Sequence, residues 1–392
     1  MLKKYKNLGI NLTGTIAAYL LPLIAIPFLS RFYTPSDFGN LALVQTYGGL
    51  FAMIITGRSE LLLLSSDCPK RSNDVINFVL SMAAYVVVST VMLRFFFDIP
   101  MVHYIAVFAI ATAIYSLSTE IYGKRKRFLD VSLNKFALIG LNPAAKLLGY
   151  SFGGSILQGE IFSKLITLVY SLRFLNFKNV NLYPRNTVRI IRSISADIKY
   201  ILPEQMLNNL SGTIHVVILT SFVSKADLGF LSMSLSLLAM PVMIIAGGIK
   251  DVLRQDFMIA YSSGKRAKDL ISPFLFRASA LALVLMILLW FSIPYLVEIF
   301  LGGQWIRTVY IMRCLIPAFL MNIFAAILGD WLLVASQLKI LLYYQLSNVV
   351  LTSIALIVPI MFMCDFELII LSYAFSRFLL YLLYSLIVYI KA

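Results

Sequence analysis

ILLYYQLSNVVLTSIALIVPIMF, residues 340–362, contains no charged side chain from end to end. At 1.5 Å of rise per residue, such a run exceeds the ~30 Å hydrocarbon core of a bilayer when helical. Lys339 stands just before it and Asp365 just after. Eleven more mostly apolar runs fill the chain: 9–30, 38–57, 75–97, 100–121, 136–153, 155–172, 203–223, 227–248, 271–298, 308–334 and 367–389. A membrane β-barrel would show ~10-residue segments of alternating polarity, and these runs are too long and too evenly apolar for that. The expectation is an all-α polytopic membrane protein with twelve transmembrane helices. At Gly153-Gly154 one long run could instead re-enter the membrane from the same side.

Composition agrees. Of 392 residues, 60% are hydrophobic and only 13% are charged, about half the share usual in a soluble domain. Mean hydropathy is +0.88. The net charge is nonetheless +15, from 33 Lys+Arg against 18 Asp+Glu. A nucleic-acid partner would need a solvated basic face, which so apolar a chain lacks. The three cysteines, Cys68, Cys314 and Cys364, are too scattered for a disulfide framework or a metal motif. The first run is too long for a signal-peptide core and no small-residue cleavage site follows it.

The charge has a topological reading. With the N-terminus inside, 25 of the 33 basic residues fall in cytoplasmic segments, including the run Lys124-Arg125-Lys126-Arg127. That run reads as an orientation signal touching anionic lipid. Only Arg31, Arg94, Lys225 and Arg307 lie outside, and Lys146, Lys164, Arg313 and Arg377 lie within spans. This is the positive-inside pattern, and it puts both termini in the cytoplasm.

The chain also repeats itself. Asn11-Leu12-Thr13-Gly14-Thr15-Ile16 returns as Asn209-Leu210-Ser211-Gly212-Thr213-Ile214. Asp37-Phe38-Gly39 returns as Asp227-Leu228-Gly229, and Met53-Ile54-Ile55 with Gly57 returns as Met243-Ile244-Ile245 with Gly247. Six spans per half bring the chain back to its starting side, so the halves are parallel repeats of the kind found in two-lobed transporters. The expected domains are an N-terminal six-helix lobe over 1–175, a cytoplasmic linker over 176–202 and a C-terminal six-helix lobe over 203–392. The outer loops are too short to carry an envelope glycosyltransferase or polymerase domain, and no G-x-x-x-x-G-K-[ST] motif is present for a built-in ATPase. No enzyme is expected.

Asn11 to Arg31, followed by Phe32-Tyr33-Thr34-Pro35-Ser36-Asp37-Phe38-Gly39, resembles the start of bacterial O-antigen flippases. These form part of the polysaccharide transporter branch of the multidrug/oligosaccharidyl-lipid/polysaccharide exporter superfamily. Gly57-Arg58-Ser59-Glu60 resembles the end of their second helix. Leu202-Pro203 through Asn209, Asp227-Leu228-Gly229 and Met240-Pro241 continue the likeness into the second half. The resemblance implies two six-helix bundles forming a V, with a central cavity lined by spans 1, 2, 7 and 8. It implies alternating-access transfer of undecaprenyl-pyrophosphate-linked O-antigen repeat units across the bacterial inner membrane for lipopolysaccharide biosynthesis. The implied partners are that lipid-linked oligosaccharide, the bilayer, and an O-antigen polymerase with its chain-length regulator. No nucleic acid, metal or cofactor is expected, and coupling would draw on a proton or sodium gradient.

A pyrophosphate crossing a low-dielectric core needs fixed cations, and ionisable groups inside spans are functional candidates. The substrate-binding candidates are Arg31 at the outer end of span 1, Arg58 at the inner end of span 2, Lys146, Arg313 and Arg377. Against this, Arg31 and Arg58 could be interfacial arginines snorkelling to water. Glu160 and Lys164, at i and i+4, share a helix face and can pair; Lys146 either shares that acid or lines the cavity. Glu160 and Asp330 are candidates for coupling or gating. Two alternatives are a cation-coupled multidrug exporter of the same superfamily and a flippase for another surface polysaccharide, such as capsule or common antigen. The exporter needs an acid deep in the first lobe, and spans 1 and 2 have none at midspan.

Overall fold

The computed structural model describes residues 20–61, 69–97, 101–173, 206–240 and 286–391 apart from 336, with a few isolated positions elsewhere. The expected linker 176–202, the start of the first run, the end of the eighth and the start of the ninth lie outside the described residues. Among the described residues the regular structure is helical, with no strand. In chain order the helices are α1 Leu20–Phe32, α2 Pro35–Thr56, α3 Pro69–Phe97, α4 Val102–Lys124, α5 Phe128–Lys135, α6 Leu141–Ser151, α7 Ile156–Leu172, α8 Met206–Leu219, α9 over 225–240, α10 Met286–Leu301, α11 Arg307–Val334, α12 Leu338–Met361 and α13 Phe366–Lys391. Each of the twelve apolar runs therefore contains helix. Among the described residues, six helices are long and apolar enough to cross a membrane: α2, α3, α4, α11, α12 and α13.

The fifth run opens with a π-helical segment, Phe136–Gly140, that joins α5, just ahead of the run, to α6 within it. The i→i+5 pattern of a π segment disturbs the carbonyl ladder. Thr167 of α7 donates from Oγ1 to the Ala137 carbonyl at 3.0 Å, as well as to its own Ser163 carbonyl. At Gly153-Gly154 the chain turns rather than continuing. Gly153 adopts φ +71°, a conformation glycine takes without steric cost. Ser155 then starts α7 with a capping box closed by Gln158.

The chain divides into two compact units, Met1–Tyr33 with Asn40–Asn209 and Thr34–Gly39 with Leu210–Ala392. In the first, α4 packs on α3 and α7, and α6 on α7. Ala109, Ala113 and Leu117, fully buried on one face of α4, meet Ile55 of α2 and Val75 and Val79 of α3. Small residues allow this close approach in lipid, where apolar burial alone gives little drive. Asn134, with no exposed surface, ties α5 to α4 and α7. Its amide nitrogen donates to Ser118 Oγ at 2.6 Å and Thr119 Oγ1 at 2.9 Å, and its carbonyl accepts from Ser171 Oγ at 2.8 Å.

In the second unit α11 lies along α13, with Leu328, Trp331, Leu332, Tyr384 and Val388 between them. The Asp-x-Gly repeat has a physical counterpart here. Thr34 and Asp37 cap α2 reciprocally, and Ser224 and Asp227 cap α9 in the same way. The two glycines of that repeat, Gly39 and Gly229, meet. A Cβ on Gly39 would collide with the Lys225 carbonyl, and one on Gly229 with that of Pro35. Beside them Trp305 is wholly buried, with Phe38 and Phe230 edge-on to it.

Side chains pointing outward are as apolar as those inside. Phe95, Val350, Ile354, Phe375 and Ile390 are all exposed. Such surface would be an aggregation liability in water and is ordinary in lipid.

Candidate functional site

In the first unit the span-borne charges collect at the crossing of α6 and α7. Gly159 makes this crossing possible, because a Cβ there would come within 2.6 Å of Lys146 Cα. The close approach brings Lys146 Nζ to 2.7 Å from Glu160 Oε2, while Lys164 Nζ sits 3.5 Å from Glu160 Oε1. Lys164 also lies over the Phe108 ring, 4.5 Å from its centre. Gln45 of α2 donates to Glu160 Oε2 at 3.5 Å, and Tyr33 donates from its hydroxyl to the Lys146 carbonyl at 2.8 Å. All three charged residues are at most 6% exposed. Two cations share one acid, which leaves a net positive charge inside the unit. A buried carboxylate with two partners is tightly held, and removing it would strand both lysines.

The second unit places Arg377 of α13 differently. Its Nη1 donates to Asn348 Oδ1 of α12 at 2.6 Å and to the Ser211 carbonyl of α8 at 3.4 Å, and its Nη2 donates to the Tyr381 hydroxyl. Thr352 donates to the same Asn348 oxygen at 3.3 Å, and Ser211 Oγ donates to Gln345 Oε1 at 3.2 Å. His215 Nδ1 lies 3.4 Å from the Tyr373 hydroxyl in the same layer. Among the described residues Arg377 pairs with no carboxylate. Neutral oxygens fix its orientation and, among the described residues, leave its charge uncompensated, which is the condition for attracting an anion in a low dielectric.

The remaining candidates stand apart from these two clusters. Arg313 of α11 is half-buried, donates from Nε to the Trp290 carbonyl at 3.2 Å and lies over the Trp290 ring. Arg31 is exposed at the end of α1. Arg58 follows Gly57 in a pair of left-handed residues, φ +52° and +56°, and its Nη1 is 3.5 Å from Glu60 Oε1. Asp330 lies in α11, near the end of its apolar stretch. Sequence reasoning passed over Ser211, Asn348 and Tyr381 as partners of Arg377. Polar residues in apolar runs were the available signal, but nothing in their spacing assigns them to an arginine. Among the described residues no three His, Cys, Asp or Glu come together to hold a metal ion.

Over nearly its whole length the chain has the fold of solved membrane transporters. Lipid II flippase MurJ in its inward closed conformation superposes with a TM-score of 0.66 at 10% identity, covering 99% of this chain and 88% of that one. The MATE multidrug transporter DinF-BH gives 0.63 at 13%, covering 98% and 95%. The Vibrio cholerae MATE transporter VcmN, in a mutant form, gives 0.57 at 12%, covering 99% and 95%. The chain thus shares its fold with MurJ and the MATE proteins, and its helices are those of a multi-pass membrane protein. The chain itself belongs to the polysaccharide biosynthesis protein family, whose model matches residues 28–310. No curated protein matches it in sequence.

Proposed function

We propose that the chain is a flippase for lipid-linked oligosaccharide, carrying undecaprenyl-pyrophosphate-linked O-antigen repeat units from the cytoplasmic to the periplasmic leaflet of the bacterial inner membrane. Two six-helix lobes, 1–175 and 203–392, joined by a cytoplasmic linker, would work by alternating access. Both termini would be cytoplasmic. An O-antigen polymerase and its chain-length regulator would receive the cargo. The observation that carries this reading is Arg377: an arginine fixed among membrane-spanning helices by neutral oxygens, in a chain of a polysaccharide biosynthesis family. The proposed substrate contacts are Arg31, Arg58, Lys146, Arg313 and Arg377, and the proposed coupling or gating groups are Glu160 and Asp330.

Deleting the gene tests the reading. Surface O-antigen should disappear while undecaprenyl-linked repeat units accumulate on the cytoplasmic side. Unchanged O-antigen with a defect in capsule or common antigen would reassign the cargo. Unchanged surface polysaccharide with altered drug sensitivity would move the chain to the multidrug reading.

A further inference from the structure

One end of the first unit gathers basic and aromatic side chains that the transport reading does not use. Helix α4 ends in a Schellman-type turn: Arg127 N–H donates to the Tyr122 carbonyl at 3.0 Å and Lys126 N–H to the Gly123 carbonyl at 2.9 Å. The left-handed position of that turn, where glycine is the usual residue, is Lys126 at φ +58°. A lysine there carries a steric cost that glycine would not. Arg125, Lys126 and Arg127 are exposed around the turn. Arg127 is steadied by Asp130 Oδ2 at 2.7 Å and by the Tyr122 ring, 5.5 Å away. A fourth exposed cation arrives from far along the chain. Arg173 at the end of α7 is exposed and lies 5.5 Å from the centre of the Tyr170 ring. Asn134 of α5 ties these two helices together, donating to Ser118 and Thr119 of α4 and accepting from Ser171 Oγ, beside the end of α7, at 2.8 Å. The ends of α4 and α7 therefore share one patch, with Asp130 as its acid. Among the described residues Asp130 and two helix C-termini, each of roughly half a negative charge, are too little to neutralise Arg125, Lys126, Arg127 and Arg173. Among the described residues Arg125 and Lys126 form no ion pair.

We infer that this patch, Arg125, Lys126, Arg127 and Arg173 with Tyr122 and Tyr170, is a binding site for the phosphate headgroup of an anionic phospholipid. Tyrosines belong at the headgroup level, and clustered Lys/Arg beside a membrane helix attract anionic lipid. The inference rests on the membrane orientation proposed above but needs no transport.

The test uses the full-length protein in nanodiscs and in detergent, with native mass spectrometry counting retained lipid. Wild type should retain phosphatidylglycerol over phosphatidylcholine, with retention falling as salt is raised to about 1 M. Arg125→Ala/Arg173→Ala should lower phosphatidylglycerol retention about tenfold or more at unchanged melting temperature in zwitterionic detergent. Lys126→Gly separates binding from folding: it should melt at or above wild type, because the left-handed strain is relieved, yet retain less phosphatidylglycerol. Equal retention of the two lipids by wild type, or wild-type retention in all the variants, overturns the site. So does displacement of phosphatidylglycerol by an equimolar amount of undecaprenyl pyrophosphate, which would make the patch a cargo entrance. Loss of lipid preference with normal O-antigen export would leave the flippase reading untouched, and the converse result would leave this one standing.

Discussion

Glu160 is the residue on which the first unit's buried charge depends. Glu160→Gln would leave two ammonium groups without their shared carboxylate, a change that costs about 3–5 kcal/mol when a buried pair is broken. The expected result is a marked fall in melting temperature in detergent. Adding Lys146→Met and Lys164→Met should recover most of it, since apolar replacements of a buried ionic group are close to neutral. If Glu160→Gln alone melts like wild type, the cluster is not structural. Arg377 should behave oppositely: Arg377→Ala is expected to reduce surface O-antigen severely at normal protein level. Arg377→Lys should restore little, because one ammonium cannot hold both Asn348 and the Tyr381 hydroxyl, which the guanidinium binds from its two Nη atoms. Export at wild-type level in Arg377→Ala would remove it from the binding set. The pairing of Lys164 with Glu160 was legible from i, i+4 spacing alone. The attachment of Lys146 to the same acid was one of two options, and the glycine crossing that decides it is a tertiary fact. Asn348 and Ser211 were illegible as arginine partners, since they lie 29 and 166 residues from Arg377 and carry no charge.

Glycines set the spacing between elements. Gly159→Leu would force α6 and α7 apart at Lys146 Cα, and overpacking of this kind costs about 1–3 kcal/mol. The variant should melt lower than wild type, and the Lys146–Glu160 distance should lengthen in its structure. Gly39→Ala or Gly229→Ala would press a methyl into a backbone carbonyl, which cannot yield as a flexible side chain would. Here the sequence pointed to the right place, because both glycines belong to the repeated Asp-x-Gly. It could not indicate that the two copies meet each other. The break at Gly153-Gly154 was likewise readable as a double glycine. The capping box that starts a new helix there required the geometry of Ser155 and Gln158.

At the scale of the molecule, span length and the placement of 25 basic residues predict one topology. A fluorescent protein fused after Ala392 should fluoresce in the cytoplasm, and alkaline phosphatase fused there should stay inactive. A cysteine placed at Gly153 should react with an impermeant thiol reagent applied from the periplasm, and one placed at Lys126 should not. Reversal of either pattern would invert the orientation and move the basic patch to the wrong leaflet. The class of fold was legible because twelve apolar runs leave a chain few other ways to satisfy its backbone in lipid. The nature of the cargo was not, since a sugar contacts side chains that hydrophobic periodicity says nothing about.

The π-helical segment Phe136–Gly140 has a consequence for how this chain tolerates insertion and deletion. Each residue of an α-helix advances it by about 100°, and a π turn absorbs one more residue than an α turn. Removing Leu138 would therefore give a more regular helix by every local rule. It would leave the chain beyond in its present phase relative to Asn134, whereas winding the same residues as an unbroken α-helix would turn that chain by about 100°, so that Asn134 and Lys146 could no longer both face α7. The irregularity is a phase correction: it lets a polar anchor and a buried cation, twelve residues apart, address the same neighbour.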